Sequence, residues 1–127
     1  MRMRVLQLAL TATMLATLAT APALAHHSFA AQYDRNKPQT LTGTVTKMEW
    51  QNPHIYFYVS VKDTAGKETL WAVEGMAPNG LYREGWKKDT IKLGDVVTVD
   101  GWLARDGSNL LNVSTVKLPD GRILGRS

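Results

Sequence analysis

Apolar and polar residues alternate most regularly where Ile55, Phe57, Val59 and Val61 are interleaved with His54, Tyr56, Tyr58 and Ser60. A period of two describes a β-strand with one face in a core. This stretch therefore predicts a strand whose other face is aromatic and polar. The segment Asp63-Thr64-Ala65-Gly66 supplies a turn, and Glu68 to Glu74, carrying Leu70, Trp71, Ala72 and Val73, returns as the second arm of a hairpin. Upstream, Gln39 to Trp50 is rich in Thr and Val and places Leu41, Gly43 and Val45 on one face before the apolar set switches to Met48 and Trp50. One extra residue in a strand turns every following side chain to the opposite face, so this switch predicts a β-bulge in a long, bent first strand.

Downstream of the hairpin, Ala77 to Trp86 holds Pro78, Asn79, Gly80 and Gly85 around Leu81 and Tyr82, the composition of a short helix or irregular cap. A turn at Lys92-Leu93-Gly94-Asp95 leads into a strand from Val96 to Ala104, with Val97, Val99 and Leu103 inward and Gly101 as a point of bending. After a turn at Asp106-Gly107-Ser108, Asn109 to Leu118 forms the last strand, and Pro119-Asp120-Gly121-Arg122 turns into a frayed tail. Three strands, a helical cap and two strands make an all-β fold with the element order of a five-stranded OB-like Greek-key barrel. A β-sandwich of similar length fits the same periodicity.

The first 25 residues do not belong to that domain. Arg2 and Arg4 precede an apolar stretch from Val5 to Ala21, and Ala23 and Ala25 fit an A-x-A cleavage site, the layout of a secretory signal peptide. Thr11, Thr13, Thr17 and Thr20 dilute the stretch and Pro22 ends it, which argues against a stable membrane anchor. The sequence contains no cysteine, hence no disulfide framework and no lipidated cysteine. A mature product of residues 26–127, 102 residues long, suffices for one domain and is expected in the periplasm or outside the cell. Residues 26–38 lack a sustained apolar period and predict an extended N-terminal arm; residues 39–127 predict the barrel.

Charge narrows the partners. Without Arg2 and Arg4 the chain carries 13 basic and 11 acidic residues, a net charge of +2. The basic residues are dispersed, with only Lys87-Lys88 adjacent, so no phosphate-tracking stripe is present and nucleic acid is not an expected partner.

Six segments together carry a family resemblance: His26-His27-Ser28-Phe29, Leu41-Thr42-Gly43-Thr44-Val45, Trp50-Gln51-Asn52-Pro53-His54, Gly85-Trp86, Leu93-Gly94-Asp95-Val96-Val97 and Leu118-Pro119-Asp120-Gly121-Arg122. The chain resembles a family of small exported bacterial proteins whose mature chains begin His-His-Ser-Phe and whose domain has no known function. The resemblance implies export and a compact β-barrel, and it carries over no catalytic residues.

Chemistry concentrates at the three histidines. Cleavage after Ala25 makes His26 the first residue, and its α-amine and imidazole together form a chelate suited to Cu(II). A second imidazole completes a planar three-nitrogen set of the histidine-brace type. It comes from His27 or His54; neighbouring side chains of an extended segment point apart, which disfavours His27. Copper is thus the expected cofactor and a carrier or buffer the expected role. The alternative is a binding module that takes a small ligand, a glycan or an envelope protein on an aromatic face of Trp50, Tyr56 and Tyr58. Asp34, Glu49, Glu74 and Asp95 show no pairing in their spacing and read as isolated surface acids. No nucleophile motif or phosphate-binding glycine loop occurs, so the chain reads as non-enzymatic.

Overall fold

The computed structural model describes residues 28–125. A single turn of helix, α1 (Phe29–Gln32), leads into β1 (Tyr33–Glu49), followed by β2 (Tyr56–Lys62), β3 (Glu68–Glu74), the helix α2 (Pro78–Arg83), β4 (Val96–Ala104), β5 (Leu110–Lys117) and β6 (Ile123–Gly125). The strands are ordered β3-β2-β1-β4-β5-β6, and β3 also pairs with β5. That extra pairing closes a ring of five strands, leaving β6 attached to the far half of β5. The closing pair is parallel, Ala72 to Leu110 through Glu74 to Asn112, whereas the other ladders are antiparallel. With α2 between the third and fourth strands, this is an OB-type barrel.

The bulge expected in the first strand falls at Thr46, since Val45 faces Val59 while Lys47 faces Tyr58. Leu41 and Val45 enter the core before it, and Met48 and Trp50 pack against the core after it. A second bulge lies in β5, where Asp100 pairs with Thr115 and Gly101 with Val113, leaving Ser114 as the extra residue. It lets Val116, Val113 and Leu111 all point inward despite their uneven spacing. Phe57, Val59, Val73, Val97 and Val99 complete the barrel interior, and Leu81, Trp86 and Ile91 bring the α2 region onto the same core.

Two boundaries differ from the sequence reading. The expected extended arm to Pro38 is instead a docked strap: residues 29–32 are helical, β1 begins at Tyr33, and the Tyr33 side chain is buried. Phe29 and Tyr33 are four residues apart, one helical turn, and their rings lie 5.5 Å apart. The β1–β4 ladder then breaks register between Tyr33 and Pro38, so neither period persists long enough to be read. The second difference is β6, three residues with one buried side chain, Leu124, where a frayed tail was expected. The predicted signal segment, His26 and His27 lie outside the described residues.

Candidate functional site

The outward residues of β2, β3 and β5 are set by register. Phe57 faces Val73 inside the barrel, so Tyr56 and Glu74 face each other outside it, and Glu74 faces Asn112 across the parallel seam. An outward glutamate on a barrel is ordinarily solvated. Glu74 is only 6% exposed, because the strap covers it.

The strap is held by several contacts of different kinds. Phe29 packs edge-on against Trp102, with ring centroids 5.3 Å apart, and the Arg35 guanidinium lies 4.4 Å from the centre of the Phe29 ring. Arg105 donates from its backbone N–H to the Gln32 carbonyl at 2.9 Å and from Nε to the Ala30 carbonyl at 2.8 Å, and pairs with Asp34 at 3.6 Å. These contacts hold Tyr33 over the seam, where its hydroxyl donates to Glu74 Oε2. Asn112 adds a hydrogen bond to the same hydroxyl, and Tyr56 one to the Glu74 carboxylate.

His54 supplies a further donor. It precedes β2 in a short backbone ladder, with the Ile55 N–H on the Met76 carbonyl at 3.1 Å and the Gly75 N–H on the Ile55 carbonyl at 3.0 Å. There its Nδ1 lies 2.9 Å from the Gly75 carbonyl oxygen and 3.1 Å from Glu74 Oε1. Neither a peptide carbonyl nor a carboxylate donates, so Nδ1 carries the hydrogen and the neutral ring keeps its lone pair on Nε2. The side chain is 43% exposed. His54 is therefore an imidazole fixed on one nitrogen and basic on the other.

Burial governs the phenols here. Removal from water, reinforced by the Glu74 hydrogen bond and the Glu74 charge, drives the Tyr33 hydroxyl well above the ordinary tyrosine range. The Tyr56 hydroxyl is pushed up to about 12, first by burial and then by the charge of Glu74. Both stay protonated at neutral pH and act as donors to the carboxylate, which offsets the several kcal/mol that burying an uncompensated charge costs.

The expected aromatic face divides. Tyr56 and Tyr58 lie on the outside, but Tyr58 faces Glu49 at 3.5 Å and lies under the Lys47 ammonium at 5.3 Å, while Tyr56 is engaged by Glu74. Trp50 is not beside them: past the bulge it turns toward the core and meets Tyr82 of α2 at 5.5 Å. Glu74, expected as an isolated surface acid, is instead the buried hub of the cluster. Sequence spacing could not find it, because its partner Tyr33 is 41 residues away. Among the described residues no set of three or more His, Cys, Asp or Glu is arranged to hold a metal, and no helix is long and apolar enough to cross a membrane.

The fold and cluster define an OB-type barrel with a histidine-bearing outer face roofed by its own N-terminal strap. The chain belongs to the family of unknown function DUF6152, which it matches over residues 14–111. No curated protein sequence matches it. Among solved structures it is similar to the mitochondrial single-stranded DNA binding protein Rim1 of S. cerevisiae, with TM-score 0.51 and 9% identity over 65% of this chain and 93% of that one. A selenomethionine-labelled crystal of the same protein gives TM-score 0.46 and 10% identity over 72% and 97%. At this identity the likeness concerns the barrel alone.

Proposed function

We propose that this protein is exported, loses residues 1–25, and binds Cu(II) between its new N-terminus and the barrel, as a carrier or buffer and not as an enzyme. The amine and imidazole of His26 form the chelate and Nε2 of His54 completes a planar nitrogen set. One observation carries the reading: His54 is held through Nδ1 by a carbonyl and a buried carboxylate. Metal-ligating histidines characteristically have such a partner, which fixes the tautomer and raises the basicity of the other nitrogen.

The position of the strap supports the same pairing. Tyr33 donates to one oxygen of the carboxylate whose other oxygen lies 3.1 Å from His54 Nδ1, so the chain leading back to the N-terminus starts near His54. From Tyr33 to His26 the path is one helical turn and a run of three residues that spans at most about 10 Å. His27, next in sequence to His26, serves as a lesser ligand through its backbone amide.

The test is a competitive Cu(II) titration, with EPR, on protein cleaved during export and checked by mass. Sub-nanomolar affinity and a nitrogen-rich type 2 spectrum are expected. Inserting one alanine before His26 should abolish tight binding and His54→Ala should weaken it, with Trp50→Ala as a silent control for binding. Unchanged affinity in the extended protein would remove the proposal.

A further inference from the structure

The N-terminal strap and His54 share no direct bond, yet they meet on one side chain. Glu74 Oε1 lies 3.1 Å from His54 Nδ1, and Oε2 takes the Tyr33 hydroxyl. The three groups come from three segments: the start of β1, the end of β3 and the turn before β2. Glu74 itself has little freedom, since Val73 beside it is buried in the core and Glu74 lies in the register that closes the barrel. A carboxylate so placed transmits position: whatever orients one oxygen orients the other.

We infer that Tyr33 is a positioning residue for His54, and that the Tyr33–Glu74–His54 chain ties docking of the strap to presentation of the His54 Nε2 lone pair. The barrel supplies the fixed half of a site and the strap supplies the closing half. With the strap docked, Glu74 is flanked by Tyr33 on one side and by Tyr56 on the other, and its Oε1 lies 3.1 Å from the Nδ1 whose hydrogen bonds the Gly75 carbonyl. With the strap lifted, Glu74 loses its buried partner and is opened to water, and His54 is left with the Gly75 carbonyl alone. What this coupling serves rests on the copper reading above. The coupling itself does not, because its three members adjoin one another without a metal.

Tyr33→Phe tests it directly, since it keeps the ring that packs on Phe29 and removes only the hydroxyl. Three readouts on the mature protein are compared with wild type. In metal-free protein the His54 Nδ1–H, bonded to the Gly75 carbonyl in either case, should exchange with water slowly in wild type and several-fold faster in Tyr33→Phe, as read by 1H–15N NMR. Amide exchange across residues 29–33 should quicken in the variant. Cu(II) affinity should fall about tenfold, as for loss of an outer partner of a ligating histidine.

Glu74→Gln, which keeps the shape of the side chain, is the second variant and should reproduce the faster Nδ1–H exchange even where Tyr33→Phe folds poorly. Glu49→Gln, on the same outer face but outside the chain of contacts, should leave that exchange unaltered. An Nδ1–H exchange rate unchanged in both Tyr33→Phe and Glu74→Gln would overturn the inference, whatever happens to melting temperature. Coupling by NMR in a wild-type protein that binds Cu(II) only weakly would keep the inference and remove the copper reading.

Discussion

Glu74 shows how far a side chain's surroundings can depart from its place in a strand. By alternation it belongs outside the barrel with Leu70 and Ala72, yet it is buried, accepts the Tyr33 hydroxyl, and has Tyr56 and His54 against its carboxylate. The phenols give a pH signature. The Tyr56 hydroxyl stands at about 12 in the folded protein against an ordinary 10.0, so the fold binds this proton more tightly than the unfolded chain. That contribution is complete below about pH 10 and is lost as pH rises through about 12. Denaturant midpoints should therefore fall across this alkaline window in wild type and fall less in Tyr56→Phe; equal slopes would show that Tyr56 is not the group responsible. At this scale the sequence was partly legible. His54 and Tyr56 follow from clean alternation, whereas Glu74 and Tyr33 matter only through each other, and no local pattern records a bond across 41 residues.

Among the elements, β1 was read largely correctly and begun too late. Its bulge was visible because the apolar set changes parity between Val45 and Met48, while its first six residues, Tyr33 to Pro38, follow a helical turn and contain a break in register. The bulge in β5 went unread, since Val113 and Val116 around Ser114 and Thr115 fit no single period. Two glycines mark close crossings of these strands: a Cβ on Gly43 would overlap the Ser60 carbonyl oxygen, and one on Gly101 the Asn112 carbonyl oxygen. Gly43→Ala and Gly101→Ala should each cost about 1–3 kcal/mol or more in urea unfolding, as overpacking does. A smaller loss at Gly101 would mean that the β5 bulge yields to make room.

For the whole molecule, the strand count and the position of the helical cap led from the sequence to an OB-type barrel, and the structure chooses it over a sandwich by the β3–β5 pairing. That choice was closed to periodicity, because which strands adjoin is decided by packing between distant segments. Leu111 lies on the closing pair, fully buried and opposite Val73. Leu111→Ala should cost about 2–5 kcal/mol by thermal or chemical unfolding. A loss below about 1 kcal/mol would mean that the seam contributes little to the core.

The seam also orders events in time. Tyr33 rests on Glu74 from one side of the barrel junction and on Asn112 from the other, so its seat is assembled from residues about forty and eighty positions further along. A chain emerging N-terminus first presents the strap long before that seat exists. The earliest described residues to appear therefore cannot settle before their seat is built, and the docked strap is a mark that the barrel beneath it has closed.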